Sequence, residues 1–412
     1  MGGIFGRSGR TGGEPPAVLA ILFGVLPVVG MLAPLALAPL LAVAAVLGIA
    51  RLGPRAAWRR MRTRPIPLQG YVLLLLFAWG GLTAIWAPSP AFAALTIARA
   101  LGCAVAAWVL VITLPDGALT PKTTRYLAIG LVWAAIVLLV VETAERRLLG
   151  TGSPLAGKAI RLVTHMDRGT TVCVLLLWPV LLDLWARGQR LSGLFVLSIV
   201  AAACGLSHDA ASKVGLLLGG GALLLAARAP RLTAWLTGGA VAIAVLAAPL
   251  AAQFIPDPEE SIHWHWLMPT AHHRLTIWRF AGAEILHAPV FGAGLEASRA
   301  IGAGKHVVVT DDAGDVRDEE VMPLHPHDAP LQLWLELGGI GAVLAAVLLL
   351  ALVPPLAAAG GAGAAMLAAG FFFASVSYGL WQSWWQAALW LAFSLWYGLS
   401  PSASVLPHKF VK

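Results

Sequence analysis

Apolar runs of about 20 residues recur along almost the whole chain, each long enough to cross a hydrocarbon core as a helix. Nothing else in the sequence restricts the fold so strongly. Lipid offers no water to backbone N–H and C=O groups, so such runs must close their hydrogen bonds internally, as helices. Composition agrees: 59% of residues are hydrophobic and 12% charged, against roughly a quarter charged in soluble domains. Mean hydropathy is +0.81. The predicted fold is an all-α polytopic membrane bundle, one integral domain over residues 1–412. Its predicted spans are 17–32, 34–50, 69–87, 92–114, 124–144, 169–186, 190–206, 210–228, 231–254, 330–353, 362–379 and 382–399, about twelve helices. Met1 to Pro16 is polar and leads into a full-length run with no small-residue cleavage site, so no cleavable signal is expected.

Loop charges predict orientation. The segment Arg51 to Arg64 holds Arg55, Arg59, Arg60 and Arg62, a strong cytoplasmic marker. On this helix count Lys122, Arg125, Arg187, Arg190, Arg228 and Arg231 share that side with both termini. The long loop 255–329 then faces the periplasm. The segment Glu145 to Gly169 opposes the bias, since Arg146, Arg147, Lys158, Arg161 and Arg168 fall outside. Either the count is off by one helix there or the loop meets an anionic ligand; the second reading keeps the other signals consistent. Topology accounts for the net charge of +8 without nucleic acid, because the positives sit in short loops. Cys103, Cys173 and Cys204 lie in apolar runs without ligand spacing and read as packing residues.

Ionisable groups at membrane depth cost roughly 2.5–3.5 kcal/mol or more at a helix centre, which makes each a functional candidate. Arg99 lies mid-span, to bind inside the bundle or to pair with Glu142; Lys213 lies near an outer helix end, to bind or to snorkel. In the long loop, His263 and His265 alternate with Trp264 and Trp266, which fits an interfacial aromatic belt better than a metal pair. Arg274 and Trp278 are one helical turn apart, so the ring is expected to fix the guanidinium plane. The acidic stretch Asp311 to Glu320 is expected to form a mobile solvated lip. His325-Pro326-His327 then approaches a helix that starts near Pro330, with Asp328 as a plausible cap and Gln332 and Glu336 on its stripe.

Three motifs carry a family resemblance. They are Arg274 to Trp278, Ala288-Pro289 to Gly294, and His327-Asp328-Ala329-Pro330 running to Gly341. In order and spacing they resemble the signature of the bacterial O-antigen ligases and polymerases, with the signature helix at 327–350. Asp167-Arg168-Gly169 with Trp178-Pro179, and Ser212-Lys213, are weaker echoes; the family often has arginine at the last site, and Asn or Gln where Asp328 stands. The resemblance implies metal-independent, inverting glycosyl transfer on the periplasmic face of the inner membrane, with no cofactor. It implies a glycan donor on undecaprenyl pyrophosphate, and as acceptor lipid A-core in ligases or a lipid-linked repeat unit in polymerases. His327 would be the catalytic base, oriented or raised in pKa by Asp328, and Arg274 would bind the donor pyrophosphate. Arg168, Lys213, Arg99, Trp278, His325 and Asp328 are the candidate substrate-binding residues. A polysaccharide or lipid transporter is the rival of another class, but such proteins gather charge at the midplane between repeated halves, and no internal repeat is visible.

Overall fold

The computed structural model describes residues 17–114, 121–149, 156–264, 266–310, 314, 316–358 and 361–399, with backbone alone over 156–165. Each predicted span falls on a helix: α1 Ala17–Leu32, α2 Leu37–Leu52, then after a short α3 (Pro54–Thr63) α4 Leu68–Thr83, α5 Pro90–Thr113, α6 Pro121–Leu149, α7 Ala156–Ala186, α8 Arg190–Leu206, α9 Ala210–Arg228 and α10 Pro230–Ala252. The long connection carries α11 Pro258–Ser261, α12 Pro269–Ile285, α13 Ser298–Ile301 and a two-stranded hairpin. The bundle closes with α14 Ala329–Ala351, α15 Val353–Ala358, α16 Gly361–Val376 and α17 Ser383–Leu399. This is an all-α polytopic membrane protein. Among the described residues seven helices are long and apolar enough to cross a membrane, or eight if α3 and α4, which meet at 94°, form one span. Helices α1, α8 and α16 are apolar but shorter, so length and composition alone do not yield twelve crossings.

Helix α7 is the axis. Its span is 83% buried where the other long spans are 28–39% buried. Trp178 packs there so closely on α9 that a Cβ on Gly219 would sit 2.4 Å from the indole. Outward-facing Leu191, Leu217 and Ile243 stay exposed, as a lipid-facing surface requires. All three cysteines are buried and free.

Three segments read as loops are ordered otherwise. The Arg-rich stretch 51–64 breaks at Gly53 (φ 83) and reforms as α3, from which Arg60 reaches the Ile112 carbonyl, while Arg64 just after it reaches the Tyr397 hydroxyl. An amphipathic turn of helix satisfies its own backbone at an interface, which a bare loop does not. Glu145 to Gly169 is mostly helix, because α6 runs to Leu149 and α7 begins at Ala156; Lys158 and Arg161 have side chains outside the described residues. The acidic stretch supplies a strand, Val316–Glu320, paired antiparallel with His306–Thr310; Asp311, Asp312 and Asp315 lie outside the described residues. His265 lies outside them too, while Trp264 and Trp266 stack at 5.6 Å with Trp266 largely exposed.

What positions the site is a break in α14. Gly338 takes φ 64, ψ −168 inside the helix. The turn Pro289–Gly294 inserts there: Ala293 and Gly294 donate to the carbonyls of Leu335 and Glu336, and Gly339 and Ile340 donate to those of Pro289 and Val290. Trp79 Nε1 caps the Leu337 carbonyl at 2.8 Å and Trp86 Nε1 the Gly292 carbonyl at 3.1 Å. Below the break, Glu336 is fully buried but answered by Gln332, Ser298, Trp381 and the Glu296 amide. A Cβ on Gly338 would meet the Val290 carbonyl at 2.3 Å. Gly338→Ala therefore lowers the thermal midpoint of the purified protein by an amount worth about 1–3 kcal/mol or more. Gly81→Ala, with open space around its Cβ inside α4, leaves the midpoint unchanged or raises it.

Candidate functional site

Loops from both halves of the chain meet at the end of the bundle where α14 begins. His327 sits there at φ 53, a left-handed conformation that costs a non-glycine residue roughly 1–2 kcal/mol. Its backbone N–H donates to His325 Nδ1 at 3.1 Å, and Trp278 Nε1 donates to the Pro326 carbonyl at 3.0 Å. The Asp328 carboxylate accepts the Leu331 N–H at 2.7 Å. A strain held from three sides in this way marks a position selected for where it puts the side chain.

That side chain is fixed through one nitrogen. His327 Nδ1 lies 2.8 Å from the Ser377 carbonyl, which can only accept, so Nδ1 carries the hydrogen and Nε2 keeps its lone pair. Burial holds the His327 pKa below the ordinary imidazole value, and the Arg274 charge lowers it further against the opposing Ser377 bond. The His325 ring stands 4.3 Å from His327, and burial, with the charges around it, pushes its pKa down to about 3. Both rings are neutral near pH 7.

Arg274, on α12, is half-buried and makes no hydrogen bond or ion pair among the described residues. Its charge is felt by His327 and is met by Asp209, with the Tyr378 hydroxyl nearby. Arg168, on α7, lies over the Trp384 ring at 5.6 Å and also acts on Tyr378. Tyr378 in turn bonds Thr171 at 2.9 Å, and Thr170 donates to Asp209 at 2.9 Å. Asp209 caps α9 through Ala211 and Ser212, which places the half-buried Lys213 one turn in. The structure thus gathers Arg274, Arg168 and His327 around Tyr378, with Lys213 on the neighbouring helix.

Other expectations change. Trp278 does not stack on Arg274 among the described residues; its indole N–H holds the Pro326 carbonyl and so shapes the histidine turn. Asp328 is committed to its helix cap, and the Ser377 carbonyl orients His327 instead. Arg99 does not pair with Glu142. It lines a cavity with Glu296, Arg299 and His325, while Glu142 faces His208 at 3.5 Å. Glu142, Glu145 and His208 bring one ligand atom each within 4.8 Å of one another, a set able to hold a metal ion and without a part in the His327 cluster.

Sequence reasoning missed Ser377, Tyr378 and Trp384. Ser377 and Tyr378 lie in a short polar gap between α16 and α17 and Trp384 in the first turn of α17, over 40 residues beyond the histidine motif, where only Ser-Tyr-Gly between two apolar runs hinted at them. Asp209 was signalled by its Ser-His-Asp start before a small-residue helix.

Residues 193–346 match the family model described as O-antigen ligase. Lys213, Arg274 and His327 fall inside that match; Arg99, Arg168 and Tyr378 fall outside it. A Rickettsia typhi protein named as a polysaccharide ligase is 26% identical over 227 residues, 53% of this chain and 55% of that protein. A Rickettsia conorii protein of the same name is 30% identical over 181 residues, 43% of each chain. The chain thus spans about half the length of the curated relatives it matches. No solved structure matches. The motifs read from the sequence lie inside the matched segment, so residues 193–346 are similar to the O-antigen ligase family.

Proposed function

We propose that this chain moves a glycan from undecaprenyl pyrophosphate to an acceptor hydroxyl of lipid A-core, on the periplasmic face of the inner membrane. The observation that carries the reading is one juxtaposition. His327 Nδ1 is occupied by the Ser377 carbonyl, its Nε2 is left basic, and beside it lies Arg274, unpaired among the described residues. The orientation follows from charge: α3 touches the far ends of α5 and α17, opposite the site, and its arginines favour the cytoplasm. Both termini then face the cytoplasm.

In the proposed reaction the acceptor O–H gives its proton to His327 Nε2 as its oxygen attacks the anomeric carbon. The bond from that carbon to the pyrophosphate breaks from the opposite face, and the electron pair leaves with undecaprenyl pyrophosphate, inverting configuration. An alcohol is a weak nucleophile at neutral pH, and a base that is neutral there is matched to the task. Pyrophosphate already leaves well. Arg274 forks onto it with two parallel N–H bonds, aided by Arg168 and Lys213, and spreads the developing charge without a metal. His325 and Trp278 hold the backbone that presents His327.

The reading is tested by transfer with purified protein from a pre-formed lipid-pyrophosphate glycan, presenting lipid A-core and a second lipid-linked repeat unit as alternative acceptors. Transfer to the core identifies a ligase, and growth of the lipid-linked chain a polymerase. Arg274→Lys keeps charge but loses the fork, so the rate falls about 10–100-fold; undiminished transfer contradicts the role of Arg274.

The pH profile gives a second check. The active form is the neutral imidazole, so the rate rises with pH through the His327 pKa, with the midpoint of the rise below the ordinary imidazole value of about 6.5. Arg274→Gln removes a charge that disfavours imidazolium, so the acidic limb of its residual activity moves to higher pH. A limb that stays in place separates the two side chains.

A further inference from the structure

Behind the histidine pair lies a second basic cavity. Its volume is about 110 Å3. Thr96 and Arg99 of α5, Arg299, His325, Gln332 and Gln382 line it; His327 and Arg274 do not. His325 is therefore a partition, with its Nε2 3.2 Å from the Gln382 amide in the cavity and its ring tilted at 50° against that of His327, which does not line the cavity.

The charges in this cavity do not balance. Glu296 is committed, with one oxygen to Arg299 Nε at 2.7 Å and the other to the Thr96 hydroxyl at 3.1 Å. Arg299 keeps its remaining donors, and its guanidinium is held at 5.0 Å over the Phe92 ring. Arg99 has no hydrogen bond or ion pair among the described residues. It stands nine residues into α5, roughly 14 Å along the helix from Pro90. No carboxylate of the described residues lies within ion-pair distance of it, and the one carboxylate in the cavity, Glu296, is already held by Arg299 and Thr96. An anion reaching the cavity would pair with it. Its neighbours suit a phosphate: two guanidinium groups, a side-chain amide and a hydroxyl, beside an imidazole kept neutral by burial and by the Arg299 charge.

We propose that this cavity is a phosphate subsite for the headgroup of a membrane lipid, distinct from the Arg274 side. A lipid fits better than a free anion because Arg99 is exposed on a spanning helix, where a headgroup drawn inward from the surface meets it. Resting on the transfer reading, the subsite would seat the second lipid-borne substrate, so that donor and acceptor flank the His325–His327 pair from opposite sides.

The test is a binding measurement that needs no transfer. Full-length Arg274→Gln protein, with the other basic cluster weakened, is purified in neutral detergent and titrated with dioctanoyl phosphatidic acid, read by native mass spectrometry. One equivalent is expected to bind, with affinity reduced about tenfold or more when Arg99→Gln is added and only partly reduced by Arg99→Lys. The thermal midpoint of the Arg99→Gln protein should hold or rise, since Arg99 is exposed and makes no ion pair among the described residues. Affinity unchanged within about twofold by Arg99→Gln, equal binding of dioctanoylglycerol, or a fall in the midpoint would each overturn the subsite. Equal competition by inorganic phosphate would overturn the lipid assignment. Failure of the transfer reading appears separately, as phosphatidic acid binding by unsubstituted protein that shows no transfer activity.

Discussion

Between Glu336 and Gly339 helix α14 gives up its own hydrogen-bond ladder, and the Pro289–Gly294 turn takes over the freed groups. In a bundle read as lying in lipid no water can serve instead, so turn and helix must fit residue by residue. This one exchange ties the long connection to the bundle. Trp79 and Trp86 from the α4 end complete it, and Glu336 anchors its lower edge among Ser298, Gln332 and Trp381. The two glycines at its heart, Gly292 and Gly338, both take positive φ where a Cβ would meet backbone at about 2.5 Å or less. That is why the proline-to-glycine turn and the glycine pair of the helix occur as linked motifs.

From this fixed helix the chemistry follows with little further freedom. The α14 cap at Asp328 sets where the chain leaves the helix, and the residue before it is forced into the left-handed region. The His327 ring then has one acceptor within reach, the Ser377 carbonyl at the end of α16. Arg274 arrives on α12, which packs against α14 and α10, and Arg168 arrives on the buried axis α7. Cations from three separate helices stand on one side of the histidine pair and Arg99 with Arg299 on the other. His325 lines the Arg99–Arg299 cavity while its neighbour His327 feels the Arg274 charge, and the proposal of two lipid-borne substrates rests on that placement.

The helices were legible because each satisfies its backbone alone, and a run of apolar residues is enough to say where. The interfacial helix α3 was not, since its arginines mask an apolar face of only Ala57 and its neighbours. The helical extensions into 145–149 and 156–169 were hidden for the same reason: charge signals the membrane edge, but a helix does not have to stop there. His327 and Arg274 were visible as motifs within one loop. What holds and tunes them was not, because Ser377, Tyr378 and Asp209 come from elements far away in sequence, and nothing local encodes such contacts. Asp328 was ambiguous for a physical reason, as the same carboxylate at a helix start can serve its cap or its neighbour; here the Leu331 amide takes it. Arg99 was seen as anomalous, with binding inside the bundle or pairing with Glu142 both open, and of these the Glu142 carboxylate faces His208 instead.

The central claim is spatial, that one imidazole nitrogen and one guanidinium face the same bond from its two ends. An experimental structure with a non-transferable glycosyl polyprenyl pyrophosphate bound tests it most directly. The account predicts the pyrophosphate oxygens on Arg274, and an open position for an acceptor hydroxyl about 2.6–3.2 Å from His327 Nε2, across the anomeric carbon. Phosphates seated away from Arg274, or an anomeric carbon shielded from His327, would contradict it.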